Sequence, residues 1–567
     1  MDLKSLILDS INFENIEGIN RDEVSQNLTM NSNSDLGDFS LPCFVFSKKL
    51  KKSPNDIAQL IKAQTDISKE LENVKTVNGY LNFYLKKDKR IFQRYIDNVL
   101  NIKQDYFKNK SGEGKTICID YSSVNLAKYM HIGHLATTFI GESVARLFEG
   151  LGYKIVRINY VGDYGTPFGK MVTAYKLWGN KEDILKRKIE ATQELYVEFV
   201  KQERNNPELL QKARETFKNI ENKKGEDYEI YKWFLEISKE EAKNILTNKL
   251  GVEFDSWKGE SSYNDDIEDV VTRLKQKNLL QQSQGAQIIN LEKEDLGIVP
   301  VLKKDDSSLY ITRDIAAAKD RFERYNYDKM FYVTAIEQKL HFQQLFKILE
   351  KMNYPFSKNL EHISYGIISL PSGKLSSRYG KQATIEDLLK ISQEKVEKLI
   401  EKRQFNIETR ENIVKNVAKS TLAFTSLRTD RRKDTIFDPK KAFTLEGDTA
   451  PYILYTYARL KSIMRKHKNN ANADYSKIPK NDSIEIIKQI ESFKYLLSTA
   501  VEKREPSIIV RKAFDLTKII NKFYTNHRVL DNDNKDKEKA MINLLKIAVI
   551  TLDYMFHIMC FDKLEEM

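Results

Sequence analysis

Apolar and polar positions follow two rhythms along this chain, one of period two and one of helical period, and the change between them marks its organisation. Residues 1–108 mix both rhythms and contain "VKTVNGYLNFYLKK" at 74–87. Within that stretch Asn78-Gly79 and the alternating run after it predict a turn followed by an edge strand. The polar stretch "KNKSGEGK" at 108–115 follows. We therefore predict a small α+β domain over 1–108.

The next segment has the order strand, loop, helix, strand. "TICIDYS" at 116–122 is a short β-rich run, "AKYMHIGHLATTFIGESVARLFEGLG" has helical spacing and ends in glycines, and "YKIVRINYV" is a second strand. A βαβ unit of this kind predicts a parallel sheet of the nucleotide-binding, Rossmann type.

A long charged stretch interrupts the sheet pattern. Residues from about 180 to 250 have a helical period with mixed charges on a solvated face. The sheet pattern resumes with "GAQIINLE", "SLYITRDIAAAKDRFERY", "KMFYVTA" and "ISYGIISL". We predict one Rossmann-type catalytic domain over 109–395 with a helical insertion at about 180–300. The helical remainder predicts an all-α bundle over 396–567, so the fold class is α/β multidomain.

Composition adds three limits. The net charge of +12 favours a polyanionic partner, although a lysine-rich composition can also reflect genomic base composition. Cys43, Cys118 and Cys560 lie too far apart for a CxxC zinc pattern or a disulfide framework, so we expect small buried side chains. No run reaches the ~18 apolar residues of a membrane span, and the start lacks a signal peptide. We expect a soluble, cytoplasmic protein.

Two of the seven histidines, His131 and His134, lie three positions apart around Gly133. Zinc-binding pairs on a helix need i, i+4 spacing, so a metal site is disfavoured. At a strand-to-helix turn the free N–H groups and the helix dipole favour an anion. The two imidazoles there are suited to donate to phosphate oxygens during nucleotidyl transfer.

A second basic cluster, "PSGKLSSRYGK" at 371–381, follows the strand-like "ISYGIISL". Alone it is an ordinary basic loop. Together, "HIGH" and then "KLSSR" resemble the two signatures of the class I aminoacyl-tRNA synthetases, which bind ATP and stabilise adenylate formation. "SSVNLAKYMHIGHL", "NYVGDYGTPFGK", "LYITRDIAAAKDR" and "FTLEGDTAPYILYTYARL" resemble the arginyl-tRNA synthetase family over essentially the whole chain.

The resemblance implies a set of substrate contacts. A guanidinium demands planar bidentate acceptors, which carboxylates supply. Asp314 resembles the family residue that clasps it, although an ion pair with Arg313 is the alternative. The other arginine contacts implied by the resemblance are Tyr310, Gln338, Asp120, Ser123, Asn125 and His134. The ordinary alternatives are a solvated or capping carboxylate for Asp120 and packing or surface positions for Tyr310 and Gln338.

For ATP the resemblance implies contacts by His131, Gly133, His134, His341, Lys374, Ser376 and Ser377, with catalytic roles for His131, His134, Lys374 and Arg378. The second lysine of the family's usual second signature is Ser377 here. Transition-state charge would then fall to Lys374, Arg378 or Lys381. The family's proline in the first loop is Val124, which we expect to change loop stiffness alone.

The outer domains carry the pattern of RNA contacts. Single-stranded bases stack on aromatic side chains, and Tyr452 and Tyr455 stand at i, i+3 with Arg459 one turn on, although a tyrosine stripe at this spacing can equally pack into a core. The resemblance implies tRNA contacts by Tyr452, Tyr455, Arg459 and Met567 and, in the first domain, by Asn78, Tyr80 and Asn82.

The implied activity is an arginine–tRNA ligase that forms arginyl-adenylate with ATP and Mg²⁺ and transfers arginine to the 3′ end of tRNA-Arg. No protein-bound zinc is expected, and the family implies a monomer and activation that needs bound tRNA. The alternatives are another class I synthetase such as those for cysteine or glutamate, a non-catalytic tRNA-binding relative, and a simple nucleotidyltransferase. Cysteine specificity would call for zinc-ligating cysteines, and of the three only Cys118 lies in the catalytic domain. Intact "HIGH" and Lys374, and the helical C-terminal region, disfavour the other two.

Overall fold

The computed structural model of the protein describes residues 2–31, 34–302, 310–371, 384–468, 470–531 and 533–567. Its N-terminal part combines a small antiparallel sheet, in the strand order β1-β2-β4-β3, with five helices. The strands are β1 (Thr29–Met30), β2 (Phe39–Pro42), β3 (Leu71–Val77) and β4 (Tyr80–Leu85), and the helices are α1 (Leu3–Asp9), α2 (Arg21–Asn27), α3 (Ser47–Leu50), α4 (Pro54–Ala63) and α5 (Lys89–Ile102).

The predicted turn between β3 and β4 is present. Asn78 and Gly79 have φ angles of 48° and 79°, the left-handed pair that a tight two-residue hairpin requires. The strand after the turn is not at an edge, however, because β4 pairs with β2 on one side and β3 on the other. Its leucine and phenylalanine side chains are therefore buried, which the alternation alone did not distinguish from an edge position.

The catalytic region is built on a four-stranded parallel sheet in the order β11-β10-β5-β6. Its strands are β5 (Thr116–Asp120), β6 (Lys154–Ile158), β10 (Lys329–Ala335) and β11 (Leu360–Tyr365). The helices of this region are α6 (Ile132–Glu149), α7 (Thr166–Trp178), α13 (Tyr310–Tyr325), α14 (Lys339–Lys351) and α15 (Ile385–Leu399). Helices cover the sheet, and the central strands β5 and β10 are accordingly near-continuous apolar runs. This is the predicted Rossmann-type sheet.

Between α7 and α13 lies the inserted segment. It contains α8 (Lys181–Arg187), α9 (Ile189–Gln202), α10 (Pro207–Glu221), α11 (Gly225–Lys243) and α12 (Ile267–Gln276), and then β7 (Gln281–Ser283), β8 (Ala286–Asn290) and β9 (Ile298–Leu302). "GAQIINLE" does not resume the parallel sheet as expected, because its strand β8 forms a separate antiparallel sheet with β7 and β9.

The rest of the chain is a helical bundle. Its helices are α16 (Ile407–Leu427), α17 (Pro439–Ala442), α18 (Ala450–Lys466), α19 (Lys480–Lys503), α20 (Ser507–Asn526) and α21 (Lys535–Ile558). The short strands β12 (Ile368–Ser369) and β13 (Thr435–Ile436) join this bundle to the end of the parallel sheet. In the described part of the chain α21 alone is long and apolar enough to cross a membrane, but 72% of its apolar window is buried inside the protein. That burial is what a core helix requires.

Candidate active site

The carboxyl edge of the parallel sheet gathers most of the residues singled out in the sequence. Asp120 ends β5 beside Tyr332 of β10, and α6 begins at Ile132 after the loop that follows β5. Gln338 follows β10, and Asp314 lies in the first turns of α13, which leads into β10. In an open α/β sheet ligands bind at this edge. The predicted arginine and ATP residues of the described chain therefore lie in one region.

The two histidines of "HIGH" cap helix α6 through a reciprocal pair of hydrogen bonds. The Gly133 N–H donates to His131 Nδ1 at 3.1 Å, and the His131 N–H donates to His134 Nδ1 at 3.1 Å. Burial lowers the pKa of His134 to about 3, and burial together with Lys128 lowers the pKa of His131. Both rings are therefore neutral at pH 7. Since each Nδ1 accepts, each Nε2 carries the proton and is a donor.

Gly133 leaves room for this cap. A Cβ atom built at Gly133 would lie 3.0 Å from Cε1 and 3.1 Å from Nδ1 of His131, closer than ordinary van der Waals contact. A side chain here would force the His131 ring to shift by a few tenths of an ångström. The glycine therefore keeps the first histidine over the N-terminus of α6, where the helix dipole favours an anion.

The second signature lies outside the described residues. Lys374, Ser376, Ser377, Arg378 and Lys381 all fall within 372–383. The chain that follows them is fixed to the first signature, since Thr384 forms an antiparallel bridge with His131 and the Ile385 N–H donates to the Met130 carbonyl at 2.9 Å. The segment after the second signature thus begins against the first.

Asp314 does not form the ion pair with Arg313 that was the alternative in the sequence. Arg313 is buried, stacks 4.0 Å above the Tyr164 ring and donates through Nε to Asn264 Oδ1 at 3.0 Å. Asp314 Oδ2 instead lies 2.7 Å from Nε2 of His341. Burial lowers the pKa of His341, but the hydrogen bond and charge of Asp314 outweigh it and raise that pKa overall. His341, expected at ATP, is therefore paired with the proposed guanidinium acceptor.

Asp120 is neither solvated nor free. Its carboxylate is 4% exposed, and Oδ2 lies 2.8 Å from Nη2 of the buried Arg321. Its Oδ1 accepts from the Ser123 hydroxyl at 3.2 Å and from the Tyr160 N–H at 3.4 Å. A carboxylate already neutralised by an internal arginine is poorly suited to a second guanidinium. Asp120 holds Ser123 and the backbone just after β6 in place.

The loop between β5 and α6 is conformationally unusual. Ser122 and Ser123 both adopt left-handed backbone, with φ of 69° and 46°. Asn125 pairs with Gly162 in an isolated parallel bridge, and its side chain accepts from the Ala127 N–H at 3.0 Å. Such strain persists only where surrounding contacts fix it, and it is concentrated at functional sites. Ser123 and Asn125 are thus presented from a rigid loop at the sheet edge.

Glu260 belongs to this site and was missed in the sequence. It begins a short 3₁₀ helix, Glu260–Asp266, in the insertion. Its Oε2 is buried and has no hydrogen-bond partner among the described residues. Burial and the charge of Asp314 raise the pKa of Glu260 to about 7, with Asp163 adding to the rise and Arg313 opposing it. A carboxylate with an unpartnered buried oxygen, under the influence of a second negative charge, is a place for a cation.

The remaining arginine candidates lie at the rim. Tyr310 is the first residue of α13 and is 67% exposed, and Gln338 is exposed at the end of the 3₁₀ helix Ile336–Gln338. Tyr310 follows residues 303–309, which the structure does not describe. Both side chains are therefore accessible at the mouth of the site and are not part of the core.

In the N-terminal domain two of the three expected RNA residues are on the surface. Asn78 is exposed in its turn, and Tyr80 is 40% exposed with its ring 5.4 Å from that of Phe44. Asn82 is buried, and its Oδ1 accepts from the Ser40 hydroxyl at 2.5 Å. Because the Asn82 side chain is buried and hydrogen-bonded to the neighbouring strand, it is not accessible for the expected RNA contact. Its role is structural.

Of the helical-domain candidates Tyr452, Tyr455 and Arg459 are half-buried and Met567 is buried. The Tyr452 hydroxyl accepts from Asn521 Nδ2 at 3.0 Å, and Tyr455 lies between Arg403 and Arg459, each within 5 Å of its ring. Arg403 also donates to the carbonyl of Met567, whose side chain is buried. Tyr452 is therefore part of the packing between α18 and α20, whereas Tyr455 lies in a cluster of positive charge.

Three family models match this chain. The model described as "tRNA synthetases class I (R), catalytic domain" matches residues 95–439. "Arginyl tRNA synthetase N terminal domain" matches 2–85, and "DALR anticodon binding domain" matches 453–567. The catalytic model alone covers more than half of the chain.

Curated relatives and solved structures agree with these models. The chain is 37% identical over 569 residues to arginine–tRNA ligase of Clostridium acetobutylicum, covering 100% of both, and 39% identical over 539 residues to that of Alkaliphilus metalliredigens, covering 94% of both. The Thermus thermophilus arginyl-tRNA synthetase structure matches with a TM-score of 0.80 at 20% identity, over 100% of this chain and 99% of that one. That of Plasmodium falciparum matches with a TM-score of 0.75 at 23% identity, over 100% and 98%. At these identities the structural matches support the fold alone.

Proposed function

Because this chain belongs to the arginyl-tRNA synthetase family, we propose that it joins arginine to tRNA-Arg in two steps and that Glu260 and Asp314 together recognise the guanidinium. It is an ATP-dependent aminoacyl-tRNA ligase. In the first step an arginine carboxylate oxygen attacks the α-phosphorus of ATP and pyrophosphate leaves. In the second a hydroxyl of the 3′-terminal ribose attacks the acyl carbon and AMP leaves.

The observation that carries the guanidinium assignment is the acidic pair at the edge of the sheet. Glu260 has a buried oxygen without a partner in the described chain, and Asp314 lies close enough to raise the pKa of Glu260. A guanidinium satisfies two carboxylates through parallel N–H groups, whereas a compact ammonium leaves acceptors poorly paired. Such a mismatch in a buried site supports discrimination against lysine. Tyr310 and Gln338 are proposed to close over the aliphatic part of the substrate.

The other end of arginine would face the rigid loop after β5. Ser123 and Asn125 contact the α-amino and carboxylate groups, with Asp120 as the buried anchor of Ser123. His134 lies at the junction with ATP, and His131 and Gly133 at the helix N-terminus face its phosphates. Two neutral imidazoles that donate through Nε2 stabilise charge developing on phosphate oxygens without a metal ligand from the protein.

Lys374 and Arg378 are proposed to add positive charge to the same phosphates, and Ser376 and Ser377 to contact ATP. His341 is proposed to act at the boundary between ATP and arginine through Asp314. Mg²⁺ would arrive on the phosphates of ATP as part of the substrate, since hard cations are commonly held by one or two protein groups plus phosphate oxygens. Catalysis is then mainly positioning and electrostatics.

The outer regions are proposed to hold tRNA. We divide the chain into 1–108, with Asn78 and Tyr80 at the RNA, the catalytic domain 109–395, and the helical domain 396–567, with Tyr452, Tyr455, Arg459 and the Met567 terminus at the anticodon end. The positive cluster around Tyr455 supports this. A cytoplasmic monomer that activates arginine when tRNA is bound completes the proposal.

Amino-acid-dependent exchange of pyrophosphate into ATP tests this function. We expect exchange with arginine and with none of the other nineteen amino acids, and only when tRNA is present. The Asp314→Ala variant should lose this exchange while its affinity for tRNA changes little. Exchange with lysine, cysteine or glutamate, or an unchanged arginine KM in the variant, would contradict the assignment.

A further inference from the structure

A second buried carboxylate, Asp163, lies directly behind the segment that carries Glu260. Asp163 is 7% exposed and follows Gly162, which bridges to Asn125 of the first signature loop. Its Oδ1 accepts from the Ser261 N–H at 2.8 Å, and its Oδ2 accepts from the Ser261 hydroxyl at 2.7 Å. Asp163 therefore holds the residue next to Glu260 through both of its oxygens.

The contact with the Glu260 segment is unusually close. A Cβ built at Gly259 would lie 2.4 Å from Oδ2 of Asp163, so that only glycine fits between them. The Glu260 N–H donates to the Val161 carbonyl at 3.1 Å, two residues before Asp163. The Tyr231 hydroxyl donates to the Asp163 carbonyl at 2.6 Å. The backbone on both sides of Glu260 is thus fastened to residues 161–163.

The same 3₁₀ helix is also fastened to α13. Asn264 accepts from Arg313, the neighbour of Asp314, and the Tyr263 hydroxyl donates to Asp320 Oδ2 at 3.1 Å. Glu260 therefore stands between two anchors, one on α13 beside Asp314 and one on Asp163. Because a 3₁₀ helix start has free N–H groups, a carboxylate from another segment is an effective cap.

We propose that Asp163 is a positioning residue for arginine recognition, which fixes the Gly259-Glu260-Ser261 backbone so that the Glu260 carboxylate meets the guanidinium beside Asp314. This inference rests on the proposed role of Glu260. A side chain displaced by 1 Å loses much of a bidentate interaction, so the loss of this anchor weakens arginine binding without touching the reacting atoms.

The test measures tRNA-dependent pyrophosphate exchange in the full-length enzyme. We expect Asp163→Asn to raise the arginine KM roughly tenfold, while kcat at saturating arginine and the ATP KM change by less than about twofold, since the mutation removes one acceptor from a positioning contact. Ser261→Ala, which deletes one of the two hydrogen bonds and keeps the fold, should raise the arginine KM by about three- to fivefold. Asp227→Asn is the matched control, because Asp227 is also 7% exposed but lies in α11 and accepts from Lys176 of α7.

A double variant separates the two proposals. If Asp163 acts through Glu260, Asp163→Asn adds nothing to the arginine KM of Glu260→Gln. Should Glu260→Gln raise the KM while both Asp163→Asn and Ser261→Ala leave it unchanged, the positioning role is overturned and the proposed function stands. An unchanged KM in Glu260→Gln would instead overturn the guanidinium assignment. Effects that multiply in the double variant contradict the inference, because Asp163 would then act independently.

The pH profile supplies a readout that a merely structural residue would not move. The titratable and charged groups that face Glu260 are Asp314 and Arg313 on α13, and Asp163 and Tyr160 on the segment after β6. The charge of Asp163 adds to the raised pKa of Glu260. Asp163→Asn should therefore move the rise of kcat/KM for arginine to lower pH, and a profile that stays in place or moves to higher pH would contradict this.

Discussion

Two glutamates, the half-buried Glu260 of the catalytic region and the fully buried Glu491 of the helical bundle, differ in the partners of their carboxylate oxygens. Glu491 of α19 is 0% exposed and accepts hydrogen bonds from three tyrosine hydroxyls: Tyr106 at 2.5 Å, Tyr495 at 3.1 Å and Tyr95 at 3.2 Å. Glu260 keeps a buried oxygen with no partner in the described chain. Burial raises the pKa of both.

The comparison shows that a raised pKa alone does not separate a binding site from a structural one. The tyrosines around Glu491 come from α5, the 3₁₀ helix Lys103–Phe107 and α19, so that the carboxylate joins the N-terminal domain to the bundle. Its acceptors are satisfied by the protein itself. At Glu260 no donor of the described chain reaches the buried oxygen, which is why we propose that arginine supplies it.

The largest expected effect is that of Glu260→Gln on arginine use, which tests the contrast between Glu260 and Glu491 directly. Glu260→Gln should lower kcat/KM for arginine roughly 100-fold, because a charge-assisted contact to the guanidinium is lost. Its melting temperature should stay the same or rise, since an unpartnered buried carboxylate is removed. The measurement is pyrophosphate exchange beside a thermal melt. Glu491→Gln is the matched control and should leave the arginine KM unchanged, and an equal loss in both variants would remove the distinction.

The pH dependence of arginine use sharpens the comparison. The pKa of Glu260 is raised to about 7 by burial and by Asp314, so the carboxylate is largely protonated at pH 6 and ionised at pH 8. Since the ionised form binds the guanidinium, kcat/KM for arginine should rise about tenfold from pH 6 to its plateau. This rise should disappear in Glu260→Gln. The same rise in the variant would mean that another group titrates.

Glu491 is expected to matter for stability and not for activity. Glu491→Ala leaves three buried hydroxyls without their acceptor, which should cost about 2–4 kcal/mol and lower the melting temperature by several degrees. The arginine KM at a temperature where the variant is folded should be unchanged. The thermal melt and the exchange assay check this together. A raised arginine KM without a lower melting temperature would contradict this structural role of Glu491.

The smallest expected effect concerns the Tyr452 hydroxyl, which already has a hydrogen-bond partner within the protein. Tyr452→Phe removes one of the two acceptors of Asn521 Nδ2 in the contact between α18 and α20, and the Thr456 hydroxyl remains as the other. We expect the tRNA KM in the charging assay to change by less than about threefold, because a stacking ring would be kept. Tyr452→Ala, which removes the ring, should raise it clearly. A large effect of the hydroxyl alone would assign the contact to hydrogen bonding.

Local patterns of the sequence were sufficient for the framework of the fold. The strand, helix and strand of β5, α6 and β6 lie within one stretch of chain, and the glycine turn at Asn78-Gly79 is a two-residue signal. The alternation of apolar and polar residues does not tell which strands become neighbours. For example, β2 pairs with β4, which is distant in the sequence. For the same reason the burial of Asn82 was not foreseen, nor was the separate antiparallel sheet of β8.

The residues of the candidate site also differ in how far the sequence alone predicts them. His131, His134 and Asp314 stand in recognisable motifs, whereas Glu260 lies in an irregular segment with no period to mark it. Its meaning comes from contacts distant in sequence, such as the hydrogen bonds between Ser261 and Asp163, which are 98 residues apart. Arg321, which neutralises Asp120, was hidden in the same way. The one local signal for Glu260 is an acidic residue between a glycine and two serines, in "KGESS" at 258–262, far in the sequence from "LYITRD" at 309–314.

A crystal structure of the enzyme with arginine bound tests the central claim most directly. The account predicts guanidinium nitrogens within about 3 Å of carboxylate oxygens of both Glu260 and Asp314, with the α-amino group toward Ser123 and Asn125. A guanidinium bound to Asp120 in place of Arg321, or one that leaves Glu260 without a contact, would contradict it.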